Sequence, residues 1–112
     1  MDTMIAVTEQ NFEAEVAASE LPVLVDYWAA WCAPCRAMAP VLESLAVEHA
    51  GKLKVVKVDV DSAPGLAEAA RIQGIPTLVL YDAGRERLRL VGARPKVAIE
   101  AALGFDDLGA AA

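Results

Sequence analysis

The segment Pro22-Val-Leu-Val-Asp-Tyr-Trp28 constrains the fold more than any other. Apart from Asp26 it is apolar at odd and even positions alike. Both of its faces must therefore be covered, and a strand of that kind belongs in the middle of a sheet layered between helices. A chain built around such a strand is α/β. The residues that follow comply. From Pro34 to about His49, the positions Met38, Val41, Leu42 and Leu45 recur at i, i+3, i+4 and i+7, the stripe of an amphipathic helix. Pro34 falls in its first turn, where a missing N–H costs nothing. Pro40 falls inside the pattern, removes one backbone bond and predicts a kink there.

Around this pair the pattern keeps switching between strand and helix. Met4 to Val7 reads as a short strand, and Thr8 or Asn11 is placed to cap a helix running to about Ser19, with Phe12 and Val16 on one face. Leu53 to Val60 reads as a second buried strand, after which Asp61 or Ser62 is placed to cap a short helix over Ala63 to Ala70. Thr77 to Tyr81 and Glu86 to Val91 are two more strands, joined by Asp82-Ala83-Gly84-Arg85 as a hairpin in which Gly84 takes positive φ. Pro95 opens a last helix and Gly104 closes it. The expected order is βαβαβαββα, a central mixed five-stranded sheet flanked by four helices, its final hairpin antiparallel. The chain's 112 residues leave room for one core. That core is assigned to residues 1–104, and 105–112 form a short tail expected to fray.

Charge and hydropathy remove several functions. Ten Lys plus Arg against sixteen Asp plus Glu gives a net charge of −6, the wrong sign for gripping a phosphate backbone, so no nucleic acid is expected. The acidic excess is read as solvation rather than steering. Charge interrupts every apolar stretch, so no membrane span is expected. Met1 to Gln10 carries Asp2 and Glu9 and lacks a basic start followed by a long apolar run, so the expected compartment is the cytoplasm.

The chemistry gathers at Cys32 and Cys35. Cys32 follows the central strand within four residues, and Cys35 lies in the first turn of the next helix. Sites in open α/β sheets collect beyond the carboxyl ends of strands. A thiol at a helix N-terminus meets the positive end of the helix dipole and unpaired N–H groups, which favour thiolate over thiol. Cys32 is thus the better-placed nucleophile. Cys35, one turn further in, is more shielded yet close enough to attack a mixed disulfide formed at Cys32, which gives it the resolving role. A crosslink closing so short a loop adds little stability, so the pair reads as chemistry rather than reinforcement. The alternative is half of a zinc site. Structural zinc needs four ligands, and only His49 joins the two cysteines, so no metal is expected. His49, at the end of the long helix where a cation is favourable, reads as structural.

Asp26 shares a strand face with Leu24 and Trp28, and burial there raises its pKa. The residues alone leave two roles open: a proton acceptor for the cysteines, or a carboxylate held by neighbours with no catalytic part. Lys57 shares a face with Val55 and Asp59 on the next strand, from which its ammonium either approaches Asp26 or snorkels to the sheet edge.

Trp28-Ala29-Ala30-Trp31-Cys32-Ala33-Pro34-Cys35, with Asp26 before it, Pro40 and Lys57 after it and Gly74-Ile75-Pro76-Thr77 downstream, closely resembles the thioredoxin family, and the resemblance runs from Met4 to about Leu103. It implies the thioredoxin fold and a protein-disulfide reductase. In such a reductase the Cys32 thiolate attacks, a mixed disulfide forms, and Cys35 releases the reduced target. It implies that Asp26 takes the proton of Cys35, that Lys57 pairs with Asp26 to modulate the transfer, and that Ile75-Pro76 is cis. Composition alone reads that bond as trans, since only about 5 to 6% of X-Pro bonds are cis. It implies further that Trp31, Pro34, Ile75, Val91 and Gly92, with Gly74 leading into them, form an exposed apolar patch around the cysteines, with Trp28 beneath. Such a patch suits docking of extended segments through backbone bonds.

By the same resemblance the domain is an electron carrier in cell redox homeostasis. It would act as a monomer with no bound cofactor and be regenerated by a thioredoxin reductase, an NADPH-dependent flavoprotein. Its targets would include ribonucleotide reductase, peroxiredoxins and methionine sulfoxide reductases. Ala33 stands where the family's commonest motif has glycine, which leaves the redox potential open. Two other classes are compatible with the scaffold: an oxidising or isomerising enzyme, and a binding module indifferent to redox state.

Overall fold

A computed structural model of the chain describes residues 4–104. The sheet holds β1 (Ile5–Ala6), β2 (Val23–Trp28), β3 (Lys54–Asp59), β4 (Thr77–Asp82) and β5 (Arg85–Val91) in the order β1-β3-β2-β4-β5. Strands β1 and β2 flank β3 in parallel, β4 runs antiparallel to β2, and β5 runs antiparallel to β4. The doubly apolar segment is therefore the middle strand. Three helices, α1 (Ala33–Glu48), α2 (Pro64–Ala69) and α3 (Lys96–Leu103), and one helical turn at Glu13–Ala17 complete the mixed α/β arrangement.

The period of two along each strand sorts the core into two layers. Leu24, Val55, Leu78 and Leu80 meet Met38, Leu42 and Leu45 of α1 and Ile99 and Leu103 of α3. On the other face, Val23, Val25, Tyr27, Val56, Val58 and Val79 meet Val16 and Ala63, with Phe12 and Leu66 against them. Asp26 and Lys57 sit on the α1 side, and register sets them opposite each other on neighbouring strands.

Three local expectations need correction. The helix expected to run to Ser19 is a single wide turn in which the Ala18 N–H donates to the Glu13 carbonyl at 2.8 Å. Of the two expected caps, Thr8 accepts the Gln10 N–H on its hydroxyl at 3.3 Å one turn ahead, whereas Asn11 Oδ1 accepts from the Thr8 N–H at 2.7 Å and Phe12 takes the cap position with no side-chain bond. The second helix is shorter than expected, and neither Asp61 nor Ser62 caps it. Their N–H groups both donate to Asp59 Oδ1, at 2.9 and 3.4 Å, so Asp59 makes the turn that an Asx residue makes when it bonds ahead of itself. Glu9 supplies the missing acceptor across the fold, at 3.1 Å from the Gly65 N–H. At the hairpin tip Gly84 takes the expected positive φ, 79°, but the strands run on to Asp82 and from Arg85, so the connection closes to two residues and Ala83 is left-handed too, at φ 54°, as a two-residue turn matched to strand twist requires.

The other strands and helices stand near their expected positions. Pro40 lies midway along α1, which continues through it. Pro95 precedes α3, and Gly104 ends it at φ 62°. The tail expected at 105–112 lies outside the described residues. Among the described residues no helix is long and apolar enough to cross a membrane.

Candidate functional site

The chain leaves the sheet at Trp28 and enters α1 at Ala33, so four residues carry it from the carboxyl end of the central strand to a helix start. Cys32 is the cap residue, with extended backbone at φ −90° and ψ 107°, and its sulfur accepts the Cys35 N–H at 3.2 Å. That donor is one of the N–H groups a helix start leaves unpaired, and it points at the sulfur that must carry negative charge after reduction. Cys32 and Cys35 are joined as a disulfide with Cα atoms 5.2 Å apart. Both are buried, at 5% and 2% exposure, and pack with Ala29 against Trp28, Val60 and Ile75.

The expected surround assembles. Ile75-Pro76 is cis, as the family resemblance implied and composition did not. The Ile75 carbonyl oxygen lies 3.9 Å from Cys32 Sγ. The Thr77 hydroxyl donates to the Gly74 carbonyl, bracing the loop, and the Gly92 N–H donates to the Pro76 carbonyl at 2.8 Å. Gly92 sits at φ 93°, a conformation a side chain would strain. Trp31 is 69% exposed and Val91 57%, Pro34 is exposed, and Ile75 and Gly92 are half-buried. Trp28, by contrast, lies under the cysteines.

Sequence reasoning missed the role of Asp61. Read as a helix cap, it instead accepts the Trp31 Nε1–H at 2.8 Å and so fixes the indole from 30 residues away in the chain. Nothing in the local pattern announces a contact between two loops.

Beneath the disulfide a cleft of about 390 Å³ is lined by Asp26, Trp28, Cys35, Arg36, Glu43 and Lys57, among others. Asp26 is 4% exposed. Burial raises its pKa from the ordinary 3.8 to about 7, with the Lys57 ammonium pulling partly the other way. Its Oδ1 is buried with no hydrogen-bond partner among the described residues. That weighs against a carboxylate held by its neighbours. Lys57 lies in the same cleft, where its Nζ stands 5.5 Å from the centroid of the Trp28 ring.

His49 is remote from this chemistry. It ends α1, about 21 Å along the axis from Cys35 at 1.5 Å per residue, with its Nε2 3.0 Å from Glu100 Oε2 on α3. A zinc site joining His49 to the cysteines is therefore out of reach.

Comparison with known proteins agrees with this geometry. Residues 3–104 match the family model described as Thioredoxin. Thioredoxin C-2 of Corynebacterium nephridii is 50% identical over 94 residues, covering 84% of this chain and 87% of its own. Thioredoxin 1 of a Nostoc species is 44% identical over 103 residues, covering 92% and 96%. A bifunctional thioredoxin reductase/thioredoxin of Mycobacterium leprae is 46% identical over 95 residues, covering 85% of this chain and 21% of that longer one. With a disulfide at a helix start, a cis Ile75-Pro76 bond whose Ile75 carbonyl faces it and a protonatable acid beneath, the chain belongs to the thioredoxin family and is a dithiol-disulfide oxidoreductase that reduces disulfides in other polypeptides.

Proposed function

We propose a division of labour among the site residues. In the reduced protein the Cys32 thiolate attacks one sulfur of a target disulfide, the second target sulfur leaves as a thiolate, and a mixed disulfide joins Cys32 to the target. Asp26 then takes the proton of Cys35, whose sulfur attacks Cys32 Sγ and expels the remaining target sulfur. Two electrons pass to the target, and the Cys32–Cys35 bond re-forms. The pair carries both electrons itself, and no bound cofactor takes part. What supports the assignment most is one contact, the Cys35 N–H held on Cys32 Sγ at 3.2 Å, which favours Cys32 as the sulfur that bears the charge.

Asp26, buried beneath Cys35 with a pKa of about 7, is able to bind and release a proton near neutral pH. Lys57 modulates that exchange from the neighbouring strand. Trp31, Pro34, Gly74, Ile75, Val91 and Gly92 receive the target around the buried sulfurs, with Pro76 holding the Ile75 backbone outward and Trp28 and Pro40 serving the fold. The working unit is residues 1–104, acting as a monomer in the cytoplasm, and 105–112 take no part. A thioredoxin reductase restores the dithiol, an inference supported by the fusion of the two activities in the Mycobacterium leprae relative. Ribonucleotide reductase, peroxiredoxins and methionine sulfoxide reductases are the proposed targets.

Insulin reduction driven by dithiothreitol tests the chemistry. The native protein accelerates it, and Cys32→Ser abolishes the acceleration. Cys35→Ser, able to attack but unable to resolve, accumulates a mixed disulfide that thiols release. Trapping by Cys32→Ser instead would reverse the two assignments, and a native protein that leaves the rate of insulin reduction unchanged would leave a binding module.

A further inference from the structure

We infer that Arg94 gives the docking surface an electrical polarity, so that it favours disulfide segments bearing a carboxylate on the side that lies over Gly92. The inference rests on the docking reading above. Contacts cross the site from end to end. Asp61 holds the Trp31 indole at 2.8 Å, Cys32 Sγ lies 3.9 Å from the Ile75 carbonyl, Gly92 bonds the Pro76 carbonyl at 2.8 Å, and Arg94 Nη2 donates to the Val91 carbonyl at 3.4 Å. The Trp31 end thus carries both the exposed carboxylate of Asp61 and the guanidinium of Arg36, which donates to the Ala30 carbonyl at 2.7 Å, whereas the Gly92 end carries the exposed guanidinium of Arg94 alone.

This cation is uncompensated. Arg87 pairs with Asp82 and Arg89 with Glu86, whereas Arg94 has no carboxylate partner among the described residues. It also runs against the general balance, because a chain of net charge −6 places six of its ten Lys and Arg between residues 71 and 96. Arg71, Arg85, Arg87, Arg89, Arg94 and Lys96 make up that group, and Arg94 lies only two residues beyond Gly92. Exposed charges attract weakly in water and are screened by salt, so the expected effect is a preference among targets rather than a requirement. It acts on encounter and register, ahead of the exchange chemistry.

Three short blocked peptides, each presented as its symmetric disulfide dimer, test the inference: a neutral one, one with Glu two residues before the cysteine, and one with Glu two residues after it. At low salt, the Glu placement that falls over Gly92 should raise kcat/KM over the neutral dimer by about two- to fivefold and the other should leave it near the neutral value. Both should converge on the neutral value near ~0.5 M salt. Arg94→Glu should turn that gain into a loss, and Arg94→Gln should remove the gain. Equal rates for the two placements in the native protein, or a preference that survives Arg94→Glu, would overturn the polarity while leaving the reductase reading intact. A neutral dimer that is not reduced at all would overturn the docking reading and the inference with it.

Discussion

Replacing Asp26 by Asn should convert a pH-dependent stability into a nearly flat one. The carboxyl keeps its proton up to about pH 7 in the folded protein and lets it go near 3.8 when the chain unfolds. Between those values the unfolded chain binds fewer protons than the folded one, so stability falls as pH rises, and above about pH 7 the loss is complete. At 1.36 kcal/mol for each tenfold change in proton affinity, the full loss is about 4 kcal/mol, of which about 2.5 kcal/mol accrues between pH 5 and pH 8. Asn titrates nowhere in that range. Urea unfolding of the oxidised protein, in which neither cysteine carries a proton, isolates the carboxyl once the two curves are subtracted. Asp26→Asn should therefore gain on the native protein by about 2.5 kcal/mol from pH 5 to pH 8. Two curves running parallel within about 0.5 kcal/mol would refute the burial argument and, with it, the case for Asp26 as the acceptor.

Two further outcomes test neighbouring steps. Lys57→Met removes the ammonium that opposes the effect of burial, so the Asp26 carboxyl should titrate above about 7, and a carboxyl carbon resonance that titrates at or below the native midpoint would contradict the electrostatic coupling. Ala83 pays for a left-handed backbone at φ 54°, so Ala83→Asn should raise the urea midpoint by an amount worth about 0.5 to 1 kcal/mol, and an unchanged midpoint would mean the turn relaxes instead.

Most of the fold was legible because it rests on periodicity. The doubly apolar run at Val23–Trp28, the stripe on α1 and the hairpin ending at Val91 each carry a repeating signal, and each element stands where it was expected. What escaped depends on groups distant in the chain. Glu9 replaces the expected local cap of α2, and Asp61, free to do so because Asp59 makes the turn, is spent on Trp31. The turn at Glu13–Ala17 departs from an ordinary helix where only Val16 is buried, so little packing dictates its geometry. At the site, residue chemistry reached the cysteines and the burial of Asp26. The cis bond at Pro76 and the exposed Trp31 and Val91 came only from likeness to a family, since propensity argues for the opposite in both cases.

The two margins of the sheet differ from its interior in a way that matters for a protein that reduces disulfides in other polypeptides. Strand β1 is only two residues long, and β5 presents Arg85, Glu86 and Arg87 to solvent with a register shift opposite Leu80 and Tyr81. Short, charged or irregular borders discourage a stray segment from annealing there. On the docking reading proposed above, an incoming segment is thus denied the outer rows of backbone groups and left with the small spot at Ile75, so a molecule that must repeatedly touch other polypeptides is shaped to let them go.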